Sequence, residues 1–418
     1  MKDVAFSCDD NGAKFLRVTV WSLLKHYRGD EPIRINVFEG FGGHSAENKL
    51  ELEKIVGEWN EKRNIHSPTP TQNSNFYSVR YISVDKAIEP YADLIMHREK
   101  SRWNVFTWTP IFTPMLLADA TGNVAHFDID MLFNDDVSKI LDLDLGDNLI
   151  AAVAEYGKGD PVITEAIWGK GILPSEAERY FNTGTIVFNA AKCREEKTWE
   201  KILAWYRDHY DIADRIEQDA WNALYWRRTK LLPLRWNFHD RLIKCYPKWN
   251  MGAKYWQGNP PRECLEAALD PAILHFWGPK KPWKVCHRPY RKLYHEAMCA
   301  VGQVPPREPL LAFYHDFITA RNLKRCREKA RGEGGSCSCR SSGSELRSGC
   351  ASSRGSAVAG FMLFAIVFRR SSISSTDAAS AGRLRTCGSS AAPARDSRGR
   401  LTSIRTRRIT IRRGRSVS

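Results

Sequence analysis

Strand-like and helix-like stretches alternate through the first 150 residues, and that rhythm restricts the chain to few architectures. Val4-Ala5-Phe6 reads as a short strand, and Phe15 to His26 as a helix with Phe15, Val18 and Leu23 at its apolar positions. Ile33 to Phe38 reads as a strand, Glu47 to Glu61 as a helix and Tyr77 to Val84 as another strand. A helix-like stretch from Ile111 to Asp119 leads through Thr121-Gly122-Asn123 into the strand Val124 to Phe127. Strand, helix, strand in this order argues for an α/β fold, a mostly parallel sheet flanked by helices. Such sheets bind ligands beyond the carboxyl ends of their strands.

From residue 150 onward the elements are shorter and more aromatic. Leu149 to Val153 and Thr185 to Phe188 are expected as strands, and Glu195 to His209 and Gln218 to Trp226 as helices. A last helix is expected over Glu308 to Arg331, apolar at Leu310, Leu311, Phe313, Tyr314, Phe317 and Ile318 and cationic from Arg321 onward. It either packs on the domain with its cations near the helix C-terminus, or lies as a basic amphipathic helix on an anionic membrane.

Composition breaks sharply at Arg331. Residues 331–418 hold 17 Arg, 20 Ser and four acids, with no Lys, Trp, Tyr or His. The formal charge of +15 therefore belongs almost wholly to this tail, and it says little about what the folded part binds. A stretch of this composition cannot bury a core and is expected to be disordered, either as a functional tail or as sequence read out of frame. The rest, 14 Trp included, can fill a large core. The expected organisation is a catalytic domain over residues 1–300, a basic amphipathic helix over 301–331 and the tail over 332–418. Nucleic acid is an unfavoured partner.

Cysteines at 8, 193, 245, 264, 286, 299 and 326 form no CxxC pair, and neither a zinc site nor a disulfide framework reads from their spacing. The N-terminal residues lack a signal-peptide pattern, and the longest apolar run, Ala357 to Phe368, is too short for a bilayer needing about 20 residues. The expected location is cytoplasmic, with peripheral contact at the inner face of the membrane as an extension.

His126-Phe127-Asp128-Ile129-Asp130 stands at the end of a buried strand. Residues i and i+2 of an extended chain share a face, so both carboxylates can converge on one cation, and hard oxygen ligands suit Mg²⁺ or Mn²⁺. Alone, the pair could equally be a solvated strand end or the nucleophile pair of a phosphatase. Four further segments accompany it in order: Phe6-Ser7-Cys8-Asp9-Asp10-Asn11, Tyr180-Phe181-Asn182-Thr183-Gly184-Thr185, Glu217-Gln218-Asp219-Ala220-Trp221-Asn222 and His275-Phe276-Trp277-Gly278-Pro279-Lys280-Lys281-Pro282-Trp283. Over about residues 3 to 295 this set resembles glycosyltransferase family 8, the retaining enzymes that include lipopolysaccharide galactosyl- and glucosyltransferases and glycogenin.

The resemblance implies a GT-A type, Rossmann-like fold and a metal-dependent transfer of galactose or glucose from a UDP-sugar to a glycan or glycolipid acceptor. It implies Asp128, Asp130 and His275 as ligands of Mn²⁺ or Mg²⁺, with imidazole in the set favouring Mn²⁺. Lys281 would place its charge on the leaving diphosphate, and Gly278 would let the backbone approach it. Asp9 and Asn11 would hold base and ribose. Asn182 and Gln218 would face the sugar, with Gln218 beside the anomeric carbon, and Asp219 would meet the sugar hydroxyls or the acceptor. For Asn182 a turn-fixing role before the strand stands as the alternative.

Two positions depart from the family pattern. Gly12 stands where an aromatic ring is usual for stacking on uracil, with Phe15 or Trp108 as substitutes, and Pro110 stands where an Arg is usual. A member that binds nucleotide with impaired catalysis and an Asp-x-Asp phosphatase are the competing functions.

Overall fold

The computed structural model describes residues 1–40, 42–66, 75–96, 105–158, 161–239, 261–284, 289–308 and 310–334. The tail expected over 332–418 lies outside the described residues apart from its first three.

The strands are β1 (Lys2–Ser7), β2 (Ile33–Glu39), β3 (Tyr77–Ser83), β4 (Asn123–Phe127), β5 (Met131–Phe133), β6 (Ile150–Gly157), β7 (Arg179–Asn189), β8 (Thr229–Leu232), β9 (Phe238–His239) and β10 (Ile273–His275). Seven of them form one sheet in the order β3-β2-β1-β4-β7-β6-β8. Only β7 runs antiparallel to its neighbours β4 and β6; the remaining pairings are parallel. A second, small sheet in the order β5-β10-β9 stands beyond the end of β4.

The main sheet is apolar on both faces, as buried parallel strands require. Val4, Phe6, Ile35, Val37 and Phe127 pack into one core cluster, while Ala5, Phe38, Val124, Ile186 and Phe188 pack into another, so successive residues alternate between the two. The longer helices among the described residues are α1 (Ala13–His26), α2 (Ala46–His66), α3 (Thr198–Asp208), α4 (Glu217–Tyr225), α5 (Pro261–Leu269), α6 (Arg291–Ala300) and α7 (Leu310–Gly334). Leu16, Val20 and Leu23 of α1 enter the first cluster, and Trp199, Ile202 and Leu203 of α3 enter the second. The buried Arg291 of α6 pairs with Asp316 and, at 3.1 Å, with Glu308, and so fastens α7 to the domain.

Three expectations need correcting. The helix over Ile111 to Asp119 is instead a 3-10 turn, Thr109–Phe112, followed by one α-turn, Thr113–Leu116, because Pro110 and Pro114 each remove a backbone donor. The single helix over Glu195 to His209 is two, Ala190–Glu195 and α3, split where Lys197 adopts a left-handed conformation with φ 49°. The strand expected from Thr185 begins six residues earlier, at Arg179.

That longer strand is irregular where it matters. Val153 pairs with Asn182, yet Ala152 pairs with Ile186, so residues 183–185 bulge out of the ladder with β6; on the other side Glu155 is the extra residue between Ala154 and Tyr156. Bulges re-aim side chains and increase local twist. Here they turn Asn182, Thr183 and Glu155 towards the carboxyl end of β4.

Candidate active site

β4 ends at Phe127, and the next turn, Asp128-Ile129-Asp130, is held from three sides. The Asp128 N–H donates to the Gly184 carbonyl at 3.0 Å, the Phe276 N–H donates to the Asp130 carbonyl at 3.0 Å, and the Thr19 hydroxyl of α1 donates to the Ile129 carbonyl at 2.7 Å. Within β4, His126 bridges the hydroxyls of Ser7 (3.1 Å) and Thr113 (2.8 Å). Burial pushes that imidazole down to about 3, so it stays neutral.

β10 brings His275 to the Asp pair. His275 Nε2 lies 3.5 Å from Asp128 Oδ2 and 3.2 Å from Asp130 Oδ1, and one ligand atom from each of the three residues falls within 4.8 Å of the others. Among the described residues this is the metal-competent group of His, Cys and acid side chains. Two carboxylate oxygens and one imidazole nitrogen fit a hard to borderline divalent ion. Gly184 lines the same space. A Cβ there would lie 2.7 Å from both Asp128 Oδ2 and His275 Cε1, so a side chain at 184 would occupy the ligands' own volume.

The charges are coupled. Burial would raise the Asp130 carboxyl, but the Lys281 ammonium and the His275 imidazole outweigh it and hold the group well below the usual carboxylate range. Burial would likewise lower His275, and the Asp130 and Asp128 charges outweigh it and raise it. Asp128 moves upward through desolvation and the Asp130 charge. Its side chain keeps 47 % of its surface open to solvent, so the neighbouring charge carries more of that shift than burial does. Lys281 pairs with Asp130 Oδ2 and donates to the Phe276 carbonyl at 3.1 Å. Gly278, at φ 85°, makes the turn that returns Lys281 to the site.

Beside the Asp pair runs a line of amides. Asn182 Nδ2 donates to Gln218 Oε1 at 3.1 Å and to Glu155 Oε2 at 3.0 Å, and Gln218 Nε2 donates to Glu155 Oε2 (3.2 Å) and the Tyr180 hydroxyl (3.0 Å). Asn182 lies inside β7 rather than before the strand, but its Oδ1 accepts from the Gly184 N–H at 2.8 Å, so the side chain also fixes the local backbone at the bulge, as its turn-fixing alternative has it. Asp219 departs from the expectation that it faces sugar or acceptor: it is fully buried, with Oδ1 accepting from the Tyr180 hydroxyl at 2.6 Å and Oδ2 from the Arg215 N–H at 2.8 Å. It braces Gln218 through Tyr180.

Asp9 and Asn11 are exposed at the start of α1, where Asp9 Oδ1 accepts from the Gly12 N–H at 2.8 Å. Gly12 itself is in the ordinary helical region at φ −75°, so positive φ is not its reason. A Cβ there would lie 2.6 Å from Cys8 Cβ and 3.0 Å from Ile129 Cδ1. An aromatic at position 12 is therefore excluded by packing against the Asp turn. Of the two substitute rings, Trp108 is buried against Tyr206, and Phe15 stacks on Trp283 at 4.0 Å. Pro110 is buried within its 3-10 turn.

Asn237, Glu155, Tyr180 and Thr183 join the site without having been singled out as site residues in the sequence. Asn237, in Leu234-Arg235-Trp236-Asn237-Phe238, showed one signal, an amide enclosed by apolar neighbours.

A family model described as glycosyl transferase family 8 matches residues 3–286. General stress protein A of Bacillus subtilis is 27 % identical over 299 residues, spanning 70 % of this chain and 91 % of the relative. The lipopolysaccharide 1,3-galactosyltransferase of Salmonella typhimurium is 23 % identical over 188 residues, 43 % of this chain and 50 % of that one. Among solved structures, the galactosyltransferase LgtC in complex with donor and acceptor sugar analogues superposes with a TM-score of 0.51 at 22 % identity, covering 75 % of this chain and 99 % of that chain. The architecture is thus of the GT-A type.

Proposed function

This chain belongs to glycosyl transferase family 8 and is a glycosyltransferase, and we propose that it moves galactose or glucose from a UDP-sugar to a glycan or glycolipid hydroxyl with retention of configuration. The observation that carries the proposal is the convergence of Asp128, Asp130 and His275 beside the Asn182–Gln218 amide pair. Asp128, Asp130 and His275 would hold Mn²⁺ or Mg²⁺. When bound, that ion supplies Lewis acidity to the departing diphosphate.

The chain's own groups do the rest. Lys281, paired with Asp130, would place its charge on the diphosphate, and Gly278 would let the backbone approach it. Asp9 and Asn11, exposed at the start of α1, are assigned to the base and ribose. Asn182 and Gln218 orient the sugar. Gln218 Oε1 already accepts from Asn182 Nδ2 and, at 3.1 Å, from the Thr183 N–H. With its lone pairs so engaged it is a poor nucleophile. This supports attack by the acceptor on the face from which the diphosphate leaves, rather than a covalent intermediate on Gln218.

The same reading seats α7 on an anionic lipid surface, where a glycolipid acceptor would be met. Phe313, Tyr314 and Phe317 are 60 %, 58 % and 64 % exposed, and the outward face continues through the exposed Lys324, Arg327 and Arg331. Aromatic rings followed by cations along one face match an anionic bilayer boundary. No described helix is long and apolar enough to cross a membrane. The free thiols of Cys8, Cys193, Cys264, Cys299 and Cys326 support work in the reducing cytosol.

The test is UDP release from UDP-galactose and UDP-glucose with Mn²⁺ and an oligosaccharide acceptor, with the anomeric configuration of the product read by NMR. An α-linked product is expected. Asp130→Ala and His275→Ala should each lower metal-dependent turnover by roughly a hundredfold or more, since Lewis-acid stabilisation amounts to several kcal/mol. An inverted product, or Mn²⁺-stimulated turnover retained by either variant, rejects the proposal.

A further inference from the structure

We propose that Asn237 is a positioning residue whose amide locks His275 into the tautomer that presents Nε2 to the metal, and ties that ligand to the sugar-facing amides. The inference rests on the reading of Asp128, Asp130 and His275 as a divalent-ion site.

Backbone groups, whose polarity is not open to choice, fix the orientation of each amide. The Gly184 N–H donates to Asn182 at 2.8 Å, so the atom it meets must be the amide oxygen, Oδ1. The Thr183 N–H fixes the oxygen of Gln218 in the same way, at 3.1 Å, which agrees with Asn182 Nδ2 donating to that oxygen. Asn237 approaches the fixed Asn182 Oδ1 at 2.8 Å and must therefore offer Nδ2. Its other end, Oδ1, then faces His275 Nδ1 at 2.8 Å. An oxygen there requires the hydrogen on Nδ1, which leaves the Nε2 lone pair pointing at the space shared with Asp128 and Asp130. One backbone N–H on the bulge of β7 thus sets the state of an imidazole in the other sheet.

Burial makes the lock effective. Asn237 is 4 % exposed and His275 2 %, so an inverted amide would leave buried donors facing donors, with no solvent to relieve them. Asn237 closes the 3-10 turn Leu234–Asn237 directly before β9, and His239 of β9 pairs with His275 of β10. The distance between amide and imidazole is therefore held by strand register. A partner on the far nitrogen of a ligating histidine typically alters metal affinity by roughly 10–100-fold.

The experiment measures Mn²⁺ affinity by electron paramagnetic resonance in the full-length protein with UDP present, which reads the lock without requiring turnover. Asn237→Ala should weaken Mn²⁺ by at least about tenfold. Asn237→Asp, which accepts from Nδ1–H but cannot donate to Asn182, should hold Mn²⁺ within about threefold of wild type while lowering kcat for transfer. Asn182→Ala removes no ligand, yet frees the Asn237 amide to invert, and should also weaken Mn²⁺. Asn182→Ala combined with Asn237→Asp should restore it, a rescue that a merely structural role would not produce. If wild type binds one Mn²⁺ that Asp130→Ala abolishes, but Asn237→Ala or Asn182→Ala binds within twofold of wild type, or the double variant fails to recover, the lock is wrong and the metal site stands. If wild type binds no Mn²⁺, both fall.

Discussion

Burial leaves the Glu217 carboxyl with the Thr183 hydroxyl, 2.9 Å from Oε1, while Oε2 lies in the interior without a hydrogen bond. Ile216 before it adopts φ 44° and ψ −117°, a conformation a β-branched residue occupies only under constraint. Desolvation pushes Glu217 up to about 8; the Thr183 bond opposes this and the Asp128 charge adds to it. The folded chain thus keeps a proton that the unfolded chain releases near pH 4.3. Stability is lost as pH rises from about 4.3 through about 8, and the loss is complete above that range. In EDTA, Glu217→Gln should melt close to wild type near pH 4.5 and progressively higher than wild type towards pH 8.5. Parallel melting curves across that range would mean that Glu217 is ionised in the folded protein. At this scale the Asp pair was legible from residue type and short spacing, whereas Asn182, Gln218 and His275 were marked only by the resemblance of the short motifs they stand in to a known family. Asn237 carried only its place between apolar neighbours, which does not reveal its partners Asn182 and His275, 55 and 38 residues away.

Helices and strands were legible wherever one periodicity ran unbroken, as in α1, β2 and β4. They were not where the backbone departs from it: Pro110 and Pro114 cut one helix short, Lys197 divides another, and the bulge at 183–185 hides the first half of β7 behind a polar run. α7 was legible as an amphipathic helix, but not which way it faces. Ala312, Asn322 and Cys326 turn inward, and Phe313 and Phe317 stay outside with the cations. Replacing both phenylalanines, Phe313→Ala with Phe317→Ala, should weaken sedimentation with phosphatidylglycerol vesicles by roughly tenfold, the effect of removing one to two kcal/mol of apolar burial. UDP release to a soluble acceptor should not change. Equal vesicle affinity in the double variant would remove α7 from the lipid contact.

For the whole molecule, the site is a joint between two sheets, with Asp128 and Asp130 following β4 and His275 on β10. A ligand that bridges them binds only the folded chain and adds RT ln(1 + [L]/Kd) to stability, about 2.7 kcal/mol at a hundredfold excess over Kd. Asp130 is paired with Lys281, and a diphosphate offers Lys281 another partner when a cation takes Asp130. Mn²⁺ and UDP together should therefore raise Tm by more than the sum of their separate shifts, and strictly additive shifts would show that the two bind independently. The mostly parallel sheet was foreseeable from the strand and helix rhythm; the three-stranded sheet was not, since strands of two and three residues leave no periodicity to read. That small sheet also sets a timetable during synthesis. β10 lies between β5 and β9, so both present open edges until it arrives. His275 follows Asp130 by 145 residues, which at about 5–20 residues per second takes a ribosome on the order of 7–30 s. Through that interval the nascent chain holds two of the three proposed ligands, and the proposed cation site is incomplete. On the proposed assignment the ion would be taken up only after β10 has closed the small sheet, as a late clasp, and metal scarcity in the cell would leave folded, unloaded protein rather than misfolded chains.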